Sequence, residues 1–308
     1  MTLRKTRRLG RIPPSRLEAE QSRIGPGSVS RKPISAHAST QSCKTQCTRA
    51  WHDRDSRGSV YLFEKNPDGE WTEIQKLAPD DARRSQSDFF HGNYGYTVAL
   101  SQRPGGIVEL AVKAPYDSYT GSYDYEDPNR GVVYVYARGE DGLFAQTDRL
   151  FAPEGTQVRT HLTDVLFLEA FLLVGAPGRN RVYVFERADA TETGDDEDAG
   201  HYRKAAELVP SDNVQFPGVA PEFFGVGLSG AGEDVLVAER GGRTSYLFSY
   251  GTGDGGGGVW KERARFDAFN AALSGTTVVE HAPTTFGEIE GSEGRYGGAV
   301  HFYRVECE

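Results

Sequence analysis

Residues Gly58–Leu77 read GSVYLFEKNPDGEWTEIQKL. Apolar and polar residues alternate, the chain turns at Asn66-Pro67-Asp68-Gly69, and alternation resumes at Trp71. A period of two on either side of a Pro/Gly turn is the pattern of a β-hairpin. Val60, Leu62 and Phe63 fall on one strand, and Trp71, Ile74 and Leu77 on the return. The chain then writes the unit again. GVVYVYARGEDGLFAQTDRL stands at Gly131–Leu150, RVYVFERADATETGDDEDAGHYRKAAEL at Arg181–Leu208 and TSYLFSYGTGDGGGGVWKERARF at Thr244–Phe266. A half-copy, GAVHFYR, closes the series at Gly298–Arg304.

A lone two-stranded hairpin cannot bury its apolar face. The segments between copies supply the missing strands, two short ones per interval: Tyr94–Ser101 with Ile107–Val112, Thr163–Leu168 with Phe171–Val174, Phe224–Gly230 with Asp234–Ala238, and Asn270–Gly275 with Thr277–Glu280. The unit is therefore four strands. Its aligned positions Tyr61, Tyr134, Tyr183, Tyr246 and His301 are separated by 73, 49, 63 and 55 residues. Four strands repeating at this interval predict an all-β fold, a β-propeller of four-stranded antiparallel blades. From Gly58 onward the pattern holds seventeen strands, as a pair, three sets of four and a set of three. Both ends carry the third-strand type, so the ring is expected to be incomplete or open, with four to five blades. Open blade edges invite self-association.

The 308 residues include 37 Gly and 15 Pro, a turn-rich composition. Residues 1–57 carry 13 Lys and Arg against 4 Asp and Glu, which leaves −18 of the overall −9 on residues 58–308. An acidic body repels phosphates, so nucleic acid is excluded as its partner. Residues 1–57 lack any sustained period and read as a disordered basic tail and a candidate targeting segment; residues 58–308 form the propeller. The most apolar run, Val165–Val174, is about half of what a bilayer needs and contains Glu169, so no transmembrane segment is expected. Cys43, Cys47 and Cys307 all lie outside the repeats and make no disulfide framework.

Within the repeats, Phe224-Gly225, Gly175-Ala176-Pro177, the VYVF strand and the Trp-x-x-x-x-Lys-Leu strand resemble the FG-GAP repeat of integrin α-subunit propellers. The resemblance covers residues 58–304. The Phe-Gly pair becomes Tyr94-Gly95 in the first unit, and Gly-Ala-Pro becomes Lys113-Ala114-Pro115, Val237-Ala238-Glu239 and His281-Ala282-Pro283. It implies a non-enzymatic recognition or adhesion module that binds a protein or glycan through loops on one face, at the cell surface or outside the cell. The basic N-terminus points instead to an organelle. The alternative reading is a propeller enzyme, a hydrolase or lyase, with its site at the channel mouth.

Gly95, Pro115, Gly175, Ala176, Pro177, Phe224, Gly225, Trp71 and Trp260 are read as structural residues of the repeat. The calcium loops of integrin-type blades need alternating oxygen ligands, and Gln102–Gly106, Leu168–Ala170, Ala231–Asp234 and Gly275-Thr276 lack them. No metal or cofactor is expected. Gly225–Gly230 matches G-x-G-x-x-G, but a dinucleotide site needs a helix after it, and here a strand follows. No G-x-S-x-G elbow is present and no histidine pair has ligand spacing, so no catalytic residue is named. The Tyr-rich insert Tyr116–Arg130 lies outside the repeat. Tyr, Ser, Gly and Asp make adaptable contact loops, which marks Tyr116, Asp117, Tyr119, Tyr123, Asp124 and Tyr125 as the candidate binding residues.

Overall fold

The computed structural model describes residues 3–6, 45–49, 58–78, 94–103, 106–114, 131–151, 162–188, 201–211, 224–239, 244–253, 256–266, 271–275, 277–282 and 299–305. They form nineteen strands in five antiparallel sheets. The first sheet is β2 (Thr45–Arg49), β3 (Val60–Lys65) and β4 (Trp71–Leu77). The second is β5 (Thr97–Gln102), β6 (Val108–Ala114), β7 (Val132–Arg138) and β8 (Phe144–Phe151). The third is β9 (Val165–Leu168), β10 (Phe171–Ala176), β11 (Arg181–Arg187) and β12 (Tyr202–Leu208). The fourth is β13 (Phe224–Ala231), β14 (Asp234–Glu239), β15 (Ser245–Thr252) and β16 (Gly258–Phe266). The fifth is β17 (Ala271–Ser274), β18 (Thr277–Ala282), β19 (Ala299–Val305) and β1 (Leu3–Thr6).

These are propeller blades. β5, β9, β13 and β17 pack in succession as the inner strands, and each sheet runs outward from there. The seventeen strands expected from Gly58 onward are β3–β19. The pairing adds two that the pattern did not contain. β2 joins the edge of β3, and β1 takes the outermost position on β19, with Lys5 opposite Tyr303. The incomplete or open propeller expected from the repeat holds: the first sheet has three strands, and β1, from outside the repeat, supplies the fourth strand of the last. Four residues, LRKT, are too short to show a period.

The core lies between the sheets, because the middle strands of the second, third and fourth sheets are buried on both faces. On β7, Val132, Tyr134 and Tyr136 pack toward the first sheet and Val133 and Val135 toward the third. On β11, Tyr183 and Phe185 pack back onto the second sheet, and Val182 and Val184 onto the fourth. This two-sided burial is why the third strands read as continuous apolar runs. A register shift recurs in all four outer hairpins, between Leu62 and Phe63, Val135 and Tyr136, Val184 and Phe185, and Leu247 and Phe248. An extra residue of this kind tightens the local twist.

One aromatic position recurs on the outer strands of the first four sheets. Phe144 packs on the first sheet, Tyr202 on the second and Trp260 on Phe171 of the third. Trp71 holds the same position but is 40% exposed, since no sheet precedes it among the described residues. Trp71, read from the sequence as a structural residue of the repeat, thus differs from the other three in being exposed.

Candidate functional site

Strand direction gives every blade two ends. At the turn end lie the β5–β6 and β7–β8 turns; at the crossover end lie the starts of the inner strands and the connections between sheets. The residues expected from the repeat build the crossover end. Phe224 is fully buried on the third sheet, and Gly225, at φ +94°, follows it across the start of β11. A Cβ on Gly225 would stand 2.8 Å from Arg181 O, and one on Gly175 would stand 2.0 Å from Gly225 O. The Phe-Gly pair of one blade therefore seats on the Gly-Ala of the blade before it. Ala176 is fully buried, and Pro177 opens a single 3-10 turn, Pro177–Arg179. Asn180 ends that turn, and its Oδ1 accepts Phe224 N at 2.8 Å. Tyr94-Gly95 makes a similar close approach two blades earlier, between the second sheet and the first: a Cβ on Gly58 would meet Tyr94 O at 2.0 Å, and one on Gly95 would meet Val60 Cγ2 at 3.0 Å. Pro115 and the insert residues Tyr116, Asp117, Tyr119, Tyr123, Asp124 and Tyr125 lie outside the described residues.

Two charged side chains stand in this frame without having been singled out by the repeat. Val98 pairs with Val112, Val165 with Val174 and Leu228 with Val237. That register puts Lys113, Gly175 and Ala238 at one structural position, one residue off the alignment of Val237 with Gly175 expected from sequence. Lys113 is 1% exposed. Its Nζ donates to Thr163 O at 2.7 Å and lies 4.3 Å from the centre of the Tyr96 ring, an arrangement that holds a cation by both a carbonyl and an aromatic face. Tyr96 itself is 43% exposed at the mouth of the inner strands. Thr97 Oγ1 donates to the same Thr163 O at 3.0 Å.

Glu109 stands at the other end of β6. Its side chain, 2% exposed, accepts from Arg103 Nε and, at 2.9 Å, from Tyr202 Oη; Arg187 Nη1 lies 3.3 Å from its second oxygen. Arg103 also donates to Tyr202 Oη. Tyr202 N donates to Asp148 Oδ2 at 2.6 Å, and His201 Nδ1 lies 3.5 Å from that oxygen. This is a seam between the second and third blades. Burial pushes the Tyr202 phenol well above its ordinary value, and the Glu109 carboxylate adds to the shift against the pull of Arg103. The native state therefore keeps a proton that the unfolded chain loses near pH 10. Stability is full below that pH and is lost as pH rises beyond it. Tyr202→Phe is expected to flatten the decline between about pH 10 and 12, measured by urea unfolding at stepped pH. An equally steep decline in the variant refutes the assignment.

Among the described residues no three His, Cys, Asp or Glu side chains gather in one place, and Gly225–Gly230 lies within β13. No helix among them is long and apolar enough to cross a membrane.

The fold thus defines an all-β propeller-blade protein. No protein-family model and no curated protein matches the chain. Among solved structures it is similar to a protein of Bacteroides fragilis assigned by name as a 6-phosphogluconolactonase, at 14% identity and TM-score 0.47 over 77% of this chain and 60% of that one. It is similar also to the periplasmic gluconolactonase of Pseudomonas aeruginosa, at 16% identity and TM-score 0.45 over 80% and 60%. A protein of Lactobacillus plantarum aligns at 14% identity and TM-score 0.45 over 77% and 60%. The chain spans 60% of the length of these three.

The FG-GAP assignment is corrected on these findings. No family model supports it, and of the solved structures reported above the two that carry a functional name are named as lactonases. The Phe-Gly and Gly-Ala residues that carried it solve a packing problem, the close backbone approach of neighbouring blades. The adhesion reading and the expectation of a non-enzyme rested on that resemblance and are withdrawn with it.

Proposed function

We propose that the chain is a propeller hydrolase acting on small esters or lactones at the crossover end of its inner strands. The observation that supports this is Lys113. An ammonium buried at that mouth, on a strand position filled by Gly175 and Ala238 in the following blades, is more than the repeat requires. A fixed cation shielded from water stabilises the oxyanion formed as water adds to a carbonyl. The ring C–O bond then breaks, and the proton lost by the water ends on the departing alkoxide. Tyr96 lies over the ammonium and borders the substrate's approach.

The test is turnover by the purified full chain, followed by pH-stat titration. Glucono-δ-lactone and its 6-phosphate head the panel, because those are the substrates in the names reported above, and simple aryl esters follow. Lys113→Met is expected to lower kcat by about 100-fold with circular dichroism unchanged. Absence of turnover by the wild type on every substrate, or full activity in Lys113→Met, overturns the proposal.

A further inference from the structure

The geometry points to Thr163 as the positioning residue for the Lys113 ammonium; this rests on the hydrolase reading above. Every polar group of Thr163 is engaged, and the partners span three blades. Its N–H donates to Gly175 O at 2.9 Å within its own sheet. Its carbonyl accepts from Lys113 Nζ and Thr97 Oγ1 of the second sheet. Its hydroxyl donates to Gly225 O of the fourth sheet at 2.6 Å. The carbonyl that holds the ammonium is thus braced from the opposite side by the hydroxyl. Gly175 and Gly225 have no side chains to share that task, and a Cβ on Gly175 would already crowd Thr163 Oγ1 at 3.0 Å. A buried ammonium with a loose acceptor loses its aim, and small misplacements near reacting atoms cost large factors in rate.

Thr163→Val keeps the shape and removes the donor; Thr163→Ser restores it. The readout is competitive acetylation with dilute acetic anhydride, resolved by peptide mass spectrometry, with exposed Lys261 as internal reference. Thr163→Val is expected to raise Lys113 labelling several-fold relative to Lys261 and to lower kcat about tenfold with KM little changed. Thr163→Ser returns both to wild-type values. Wild-type labelling of Lys113 in Thr163→Val overturns the inference. So does a uniform rise at every lysine, which would mean a general loss of stability. The labelling decides the role of Thr163 even if the wild type shows no turnover, in which case it is the hydrolase reading that fails.

Discussion

Gly175→Val is expected to break the contact between the third and fourth blades and to cost at least about 3 kcal/mol. The new Cβ alone would sit 2.0 Å from Gly225 O and 3.1 Å from its carbonyl carbon. Both are backbone atoms, so no rotamer change relieves the clash. Gly225 cannot retreat either, because its own position is set against Arg181 O and Ala176 N. Gly257→Ala is the control. Nothing lies within 4 Å of its added Cβ, and its urea midpoint is expected to stay within about 0.5 kcal/mol of wild type. Equal midpoints for the two variants would refute the latch.

Glu109→Ala is expected to be comparably severe, at about 3–5 kcal/mol. The substitution leaves the Arg103 and Arg187 guanidiniums facing each other where a carboxylate had joined them, at a site with 2% exposure. The cost is that of uncompensated buried charge more than of a lost attraction. Arg103→Met/Glu109→Met is therefore expected to be less destabilised than Glu109→Ala alone, although it changes more atoms. The loss should also be insensitive to salt, since buried pairs are little screened. A double variant less stable than the single one would show that the attraction itself dominates.

The blades were legible because the third strands of the second, third and fourth sheets are buried on both faces and announce themselves as VVYVY, VYVF and SYLF. The hairpin turns were legible from Pro and Gly. β1 and β2 were not, because a strand that completes an edge by backbone pairing needs no apolar period of its own. The site escaped for a different reason. Glu109 and Lys113 are four residues apart on β6, so a period of two puts them on one face, with Ala111 between them packed toward the third blade. Two charges in an otherwise apolar, doubly buried strand were the available signal. They were read as part of a strand and as a departure from Gly-Ala-Pro. Thr163 offered no signal, since its contacts are with side chains of the second blade and a backbone carbonyl of the fourth.

The exposed Trp71 has a consequence for how such molecules are enlarged. The second, third and fourth blades each lend an aromatic side chain to the blade before, Phe144, Tyr202 and Trp260. The contact is head-to-tail, with a donor and an acceptor that differ, so one donor and one acceptor are always left at the ends of a row. A joint of that kind carries no instruction about how many units to use. Gene duplication can add or remove a blade without redesigning any seam. The residues at the seams answer only to their immediate neighbours, so the seams by themselves do not set the number of blades.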